Sequence, residues 1–146
     1  MILRNLLAAL ALACLLTACG SGPVRKVHPS TASIQQLAVQ ADGSWKITLR
    51  IQNFSTFPMR YSAVKATLAI AGTDAGAVSS APDMDILGNS GDVIETVVKP
   101  SAPLPTSGNF EYRLKGTIDT SEPKESFPFD TTSRLSPVPG VANTYR

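Results

Sequence analysis

A chain of 146 residues that is 43% apolar, 16% charged and 6% aromatic is long enough for one domain with its own core. Thirteen Lys and Arg against eleven Asp and Glu leave a formal charge of +2. That balance excludes the basic footprint of a nucleic-acid binder, and the composition is not that of a charged, aliphatic-poor disordered chain. One His and two Cys leave most metal centres and His-dependent triads without material.

The chain opens with Met1 to Asn5, which carries Arg4, followed by an unbroken apolar run from Leu6 to Leu16. A bilayer core needs about 20 apolar residues, so the run is too short to span and has the length of a signal-peptide core. Leu16-Thr17-Ala18-Cys19 follows at once and resembles the lipobox of bacterial lipoprotein precursors. The resemblance implies removal of residues 1–18, a diacylglyceryl group on the Cys19 sulfur and an acyl chain such as palmitate on its amino group. It implies a lipid-anchored protein of the cell envelope. Gly20, where sorted lipoproteins retained elsewhere carry Asp, favours the outer membrane, facing the periplasm. Cys14 leaves with the signal, so the mature chain has no disulfide and folds on its core alone.

Residues 19–32 read as a lipidated tether with no apolar periodicity, holding the domain off the membrane. Arg25 and Lys26 in it are either solvated linker charges or contacts to anionic headgroups. Residues 33–132 read as the domain and residues 133–146 as a polar, Pro-containing tail. Within the domain, Ser33 to Gln40 is a first strand and Asp42-Gly43 a hairpin turn. Trp45, Ile47, Leu49 and Ile51 alternate with Lys46, Thr48, Arg50 and Gln52, the pattern of a half-buried antiparallel strand. Asn53 to Pro58 is a loop, in which Asn53 and Ser55 bond nearby backbone. Met59 to Ala71 is extended with one slipped phase, which predicts a β-bulge near Ala63-Val64. Gly72-Thr73-Asp74 is a turn and Ala75 to Ser80 the returning strand. Asp83 to Gly91 reads as loop. Val93 to Val98 is a strand with Ile94, Thr96 and Val98 inward. Pro100, Pro103 and Pro105 exclude helix before the alternating strand Phe110 to Ile118. A short strand at Phe127-Pro128-Phe129 belongs at an edge, because Pro lacks a ladder donor. Trp45, Leu49, Leu68 and Leu114 fall on the apolar phases and are predicted core.

About seven strands at this spacing predict an all-β fold, an immunoglobulin- or fibronectin type III-like β-sandwich. Ser33-Ile34-Gln35-Gln36-Leu37, Asp42-Gly43-x-Trp45, Leu49 to Ser55, Pro58-Met59-Arg60-Tyr61 and the Val64, Leu68, Ile70, Gly72 series resemble the late-embryogenesis-abundant type 2 family, the WHy (water stress and hypersensitive response) domain, in its bacterial lipoprotein form. The resemblance runs from about Ser33 to Ile118, and Leu135-Ser136-Pro137-Val138-Pro139-Gly140 also fits the lipoprotein subset. It implies a sandwich with one short helix, an association with desiccation and other stress, and a binding or chaperone-like role. Two departures stand out: Gln52-Asn53-Phe54 replaces the family's Asn-Pro-Asn, and Pro103-Leu104-Pro105 occupies its helical stretch.

Catalytic and cofactor chemistry find no residues to build on. His28, the one His, lies in the tether beside Pro29, and lipid would occupy Cys19. Asp83-Met84-Asp85-Ile86-Leu87-Gly88 matches a calcium loop at its first, third and sixth positions, but Leu87 and Ile94 stand where the fifth and twelfth ligands belong. That leaves a weak cation site from Asp83, Asp85 and Asp92, or solvated acids. Phe54, Phe57 and Met59 either cap the sandwich end or form an apolar contact surface. The expectation is a non-enzymatic, lipid-anchored envelope protein without cofactor, attached to the membrane. It either protects unfolding proteins under stress or serves as an adaptor for one envelope complex.

Overall fold

The computed structural model describes Gly20 and residues 22–146; the signal segment, Cys19 and its expected lipidation lie outside the described residues. Nine strands follow: β1 (Thr31–Val39), β2 (Trp45–Asn53), β3 (Met59–Ile70), β4 (Thr73–Ser80), β5 (Met84–Ile86), β6 (Ser90–Val98), β7 (Phe110–Glu122), β8 (Lys124–Leu135) and β9 (Thr144–Tyr145). They form two antiparallel sheets packed face to face. One has the order β6-β2-β1-β9, the other β4-β3-β7-β8 with β5 beside the start of β3. No helix occurs among the described residues, so the short helix of the resembled family is missing where Pro103 and Pro105 stand.

The alternating segments form the sandwich because each has one apolar face to bury. Trp45, Ile47, Leu49 and Ile51 of β2 meet Leu68, Leu114 and Ile118 of the other sheet in one continuous core, as the phases predict. The expected slip in β3 is real. Its register against β7 shifts between Arg60 and Ala63, so that Tyr61 and Val64, an odd spacing apart, both point inward. Along β6, Ile94 and Val98 are buried and Val93 and Val97 exposed, which is the predicted phase. Pro128 lies on β8, an edge strand of its sheet. The Asp42-Gly43 turn is closed by Asp42, whose carboxylate accepts from the Ser44 N–H (2.9 Å) and hydroxyl (2.6 Å).

Several expectations need correction. The sandwich has nine strands, because Met84–Ile86 pairs with Met59–Tyr61 and because the chain returns at its end. β7 and β8 are one long hairpin with pairing from Phe110↔Leu135 to Ser121↔Lys124, far beyond Ile118 and the Phe-Pro-Phe segment. The β3–β4 turn is Ala71-Gly72, both with positive φ, one residue earlier than expected. Residues 133–146 are no free tail. Leu135 is buried, Thr144–Tyr145 pairs with Leu37 and Ala38 of β1, and Tyr145 packs edge-on against Phe110 at 5.1 Å.

Two buried tyrosines cross the sandwich to β1 and the residue just before it. The Tyr61 hydroxyl lies 2.7 Å from Ser30 Oγ, and the Tyr112 hydroxyl accepts the Ile34 N–H at 3.0 Å. The second bond falls where β1 bulges between Ile34 and Gln36 and the ladder to β2 is interrupted. Burial pushes both phenols above their ordinary value, against the opposing effect of these hydrogen bonds. Among the described residues no buried side-chain nitrogen or oxygen lacks a partner.

Candidate functional site

The start of β1, the β2–β3 loop, the β5–β6 loop and the β7–β8 turn share one end of the sandwich, called here the N-terminal end. The β1–β2 turn, the β3–β4 turn and residues 136–143 occupy the opposite end.

Asn53 organises the N-terminal end. It is fully buried, and its amide nitrogen donates to the carbonyls of Phe57 (3.0 Å), Ile86 (3.0 Å) and Leu87 (3.2 Å). Its amide oxygen accepts the Ser55 N–H at 2.9 Å, the Asx-type bond expected of a loop Asn. The Asn89 N–H donates to the Ser55 carbonyl at 2.9 Å, and Gly88 lies so close to Thr56 and Phe57 that a Cβ there would stand 2.5 Å from the Phe57 nitrogen. One side chain thus joins the β2–β3 and β5–β6 loops.

The tether is joined to the same loop, which the sequence does not announce. Thr56 Oγ1 donates to the Val24 carbonyl (2.8 Å) and accepts from the Lys26 N–H (2.9 Å), while the Thr56 N–H donates to the Lys26 carbonyl (3.1 Å). The His28 N–H donates to Ser55 Oγ at 2.9 Å, and Ser55 Oγ donates to the His28 carbonyl at 3.3 Å. Arg25 lies over the Phe57 ring, 4.5 Å from its centre. Residues 24–28 are therefore fixed along the domain instead of hanging free. The proximity of Ser55 and His28 is made by backbone, and the buried Ser55 hydroxyl is engaged by that backbone.

The three apolar residues singled out in the sequence separate here. Met59, 1% exposed, is core and offers no surface, because β3 turns it inward opposite Ile86. Phe57 is half-buried beneath Arg25 and against the core. Phe54 alone projects, 48% exposed. Phe127 and Phe129 are likewise buried, so the Phe-Pro-Phe edge presents no aromatic surface. Three more exposed apolar residues at this end were missed by sequence reading: Val24 (68% exposed), Val27 (42%) and Leu87 (65%), all on the segments just described. Val24 and Val27 stand in a polar stretch and Leu87 follows the buried Ile86, and nothing in local pattern joins the three.

Asp83 and Asp85 do not await a cation. Asp83 Oδ1 lies 3.0 Å from Arg60 Nε and Asp85 Oδ2 3.3 Å from Arg60 Nη1, while Asp92 is on β6 in the other sheet, its carboxylate accepting the Val93 N–H. The hydrogen bond to Asp83, its charge and that of Asp85 hold Arg60 above its ordinary pKa. Among the described residues no three potential ligands gather around one metal position.

The arrangement is a β-sandwich with an ordered apolar rim at one end. No protein-family model matches the chain, and no curated protein matches it in sequence. In structure it is similar to AT1g01470 from Arabidopsis thaliana, 9% identical, over 87% of this chain and 93% of that one, with a TM-score of 0.54, which is a likeness of fold. Weaker likenesses are to a candidate late embryogenesis abundant (LEA) protein, At2g46140.1 (12% identical, 92% and 84% covered, TM-score 0.49), and to a protein from Archaeoglobus fulgidus (14% identical, 77% and 98% covered, TM-score 0.42).

Proposed function

We propose that the chain is a non-enzymatic, lipid-anchored envelope protein of the WHy type that protects other proteins by contact when water is lost or stress unfolds them. The residues that resemble that family fold as β1, β2 and β3 of a sandwich, the architecture the resemblance implies. The observation that carries a contact role is β6. Among the described residues it is an edge strand whose second backbone side pairs with no strand, β4 meeting it through the Thr96 hydroxyl, which donates to the Ser79 carbonyl at 2.9 Å, and its outer face presents Val93 and Val97 around the Lys46–Glu95 ion pair. An extended segment of an unfolding protein can add to such an edge, with backbone bonds for affinity and valines for apolar contact. The anchor is Cys19, with Gly20 favouring the outer membrane.

The test uses residues 20–146 with a drying-labile enzyme, beside an inert protein at equal mass. Protection beyond the control that weakens when Val93 and Val97 are both replaced by Ser, with the fold retained, supports the reading. Protection equal to the control overturns it. A crosslinking pull-down from intact cells that returns a single partner would then assign the chain as an adaptor. Anchoring is tested separately: Cys19→Ser should leave an uncleaved precursor, and a variant that fractionates and migrates like the parent refutes lipidation.

A further inference from the structure

We propose that the rim at the N-terminal end is a membrane-seating surface, with Val24, Val27, Phe54 and Leu87 settled among lipid headgroups so that the sandwich stands in one orientation on the bilayer. The inference rests on the reading that Cys19 carries lipid. Among the described residues seven large apolar side chains are exposed, and four of them are these. They come from segments far apart in the chain, which the Thr56, Asn53 and Ser55 hydrogen bonds hold together. The surface is ordered before contact, so seating it requires little further loss of freedom.

The length of chain outside the described fold selects the occupant. Five residue steps separate Cys19 from Val24, the first residue fixed to the loop, and fully extended they span at most about 18 Å. A bilayer holding the Cys19 lipid is therefore always within reach of the rim, whereas a client or a second copy must arrive by diffusion. Charge sets the lipid requirement. Arg25, Lys26 and Arg60 around the rim are offset by Asp83, Asp85 and Glu122, with Arg60 paired to the two aspartates. Seating is thus driven by apolar burial, and zwitterionic lipid suffices.

The experiment couples residues 19–146, through the Cys19 thiol, to maleimide lipid in vesicles of phosphatidylcholine with brominated acyl chains. Phe54→Trp, Leu87→Trp and Val141→Trp are compared; Val141 is exposed at the opposite end, and the native Trp45 is buried there too. Circular dichroism verifies each fold. The expected result is loss of indole emission at positions 54 and 87, none at 141, and no change when salt is raised. Absent quenching at 54 and 87, or equal quenching at 141, overturns the proposal. A shift at 54 that follows protein density on vesicles without bromine makes the rim an interface between copies and overturns it also. Because the coupling is chemical, none of these outcomes depends on lipidation in cells, which is read from the mass of the mature chain.

Discussion

Asn53→Ala would strip the Phe57, Ile86 and Leu87 carbonyls of one shared donor and leave the Ser55 N–H unpaired. A buried polar group left without a partner costs about 1–3 kcal/mol, so urea unfolding should show a loss of that order. The Asn-x-Ser triplet is legible as loop chemistry because Asn habitually bonds backbone two residues on. Which other carbonyls it serves is not, because Ile86 and Leu87 reach it only through the fold. The tyrosines give a prediction in pH. Tyr61 and Tyr112 hold their protons more tightly folded than unfolded, chiefly through burial. Their contribution is complete below the unfolded value of about 10 and is lost as pH rises through the folded value. Stability should fall above about pH 10, and the fall should be shallower in Tyr61→Phe.

Among the elements, β3 and β7 pair with Gly116 opposite Ala66. A Cβ at Gly116 would stand 1.9 Å from the Lys65 carbonyl oxygen, so Gly116→Ala must push two central strands apart. Overpacking of this kind costs about 1–3 kcal/mol, to be read as a lower unfolding midpoint with an unchanged denaturant slope. The two-residue turn between β3 and β4 holds Ala71 at φ 48°, a conformation Asn tolerates better than Ala. Ala71→Asn should therefore stabilise by about 1 kcal/mol in the same measurement. Strand phases were legible wherever one face is apolar, as in β2 and β6. Strand ends were not: β7 continues through Asp119, Thr120 and Ser121, and β8 through Asp130 to Arg134, on pairing with each other instead of on alternation.

For the whole molecule, the last residues close the β1 side of one sheet. Ending the chain at Leu135 would remove β9, the Tyr145–Phe110 contact and the Asn143 carbonyl that accepts the Val39 N–H. A thermal midpoint lowered by several degrees is expected, and an unchanged midpoint would show that β9 only lies on the surface. Neither this strand nor the fixed tether was legible, since each is a polar stretch whose order comes from backbone bonds to a distant loop or edge. The rim was legible only at Phe54, an aromatic residue in a loop of turn formers; Val24, Val27 and Leu87 join it through the hydrogen bonds around Asn53 and Thr56. The fastening of residues 24–28 also has a mechanical side. Its few bonds lie one after another along the chain, so tension applied at the N-terminal side opens them in sequence, like a zip, before any strand of the sandwich is loaded. Releasing residues 24–28 adds at most about 18 Å of reach. The same segment that sets the domain close at rest is thus a stored length of cable, let out under pull while the sandwich stays folded.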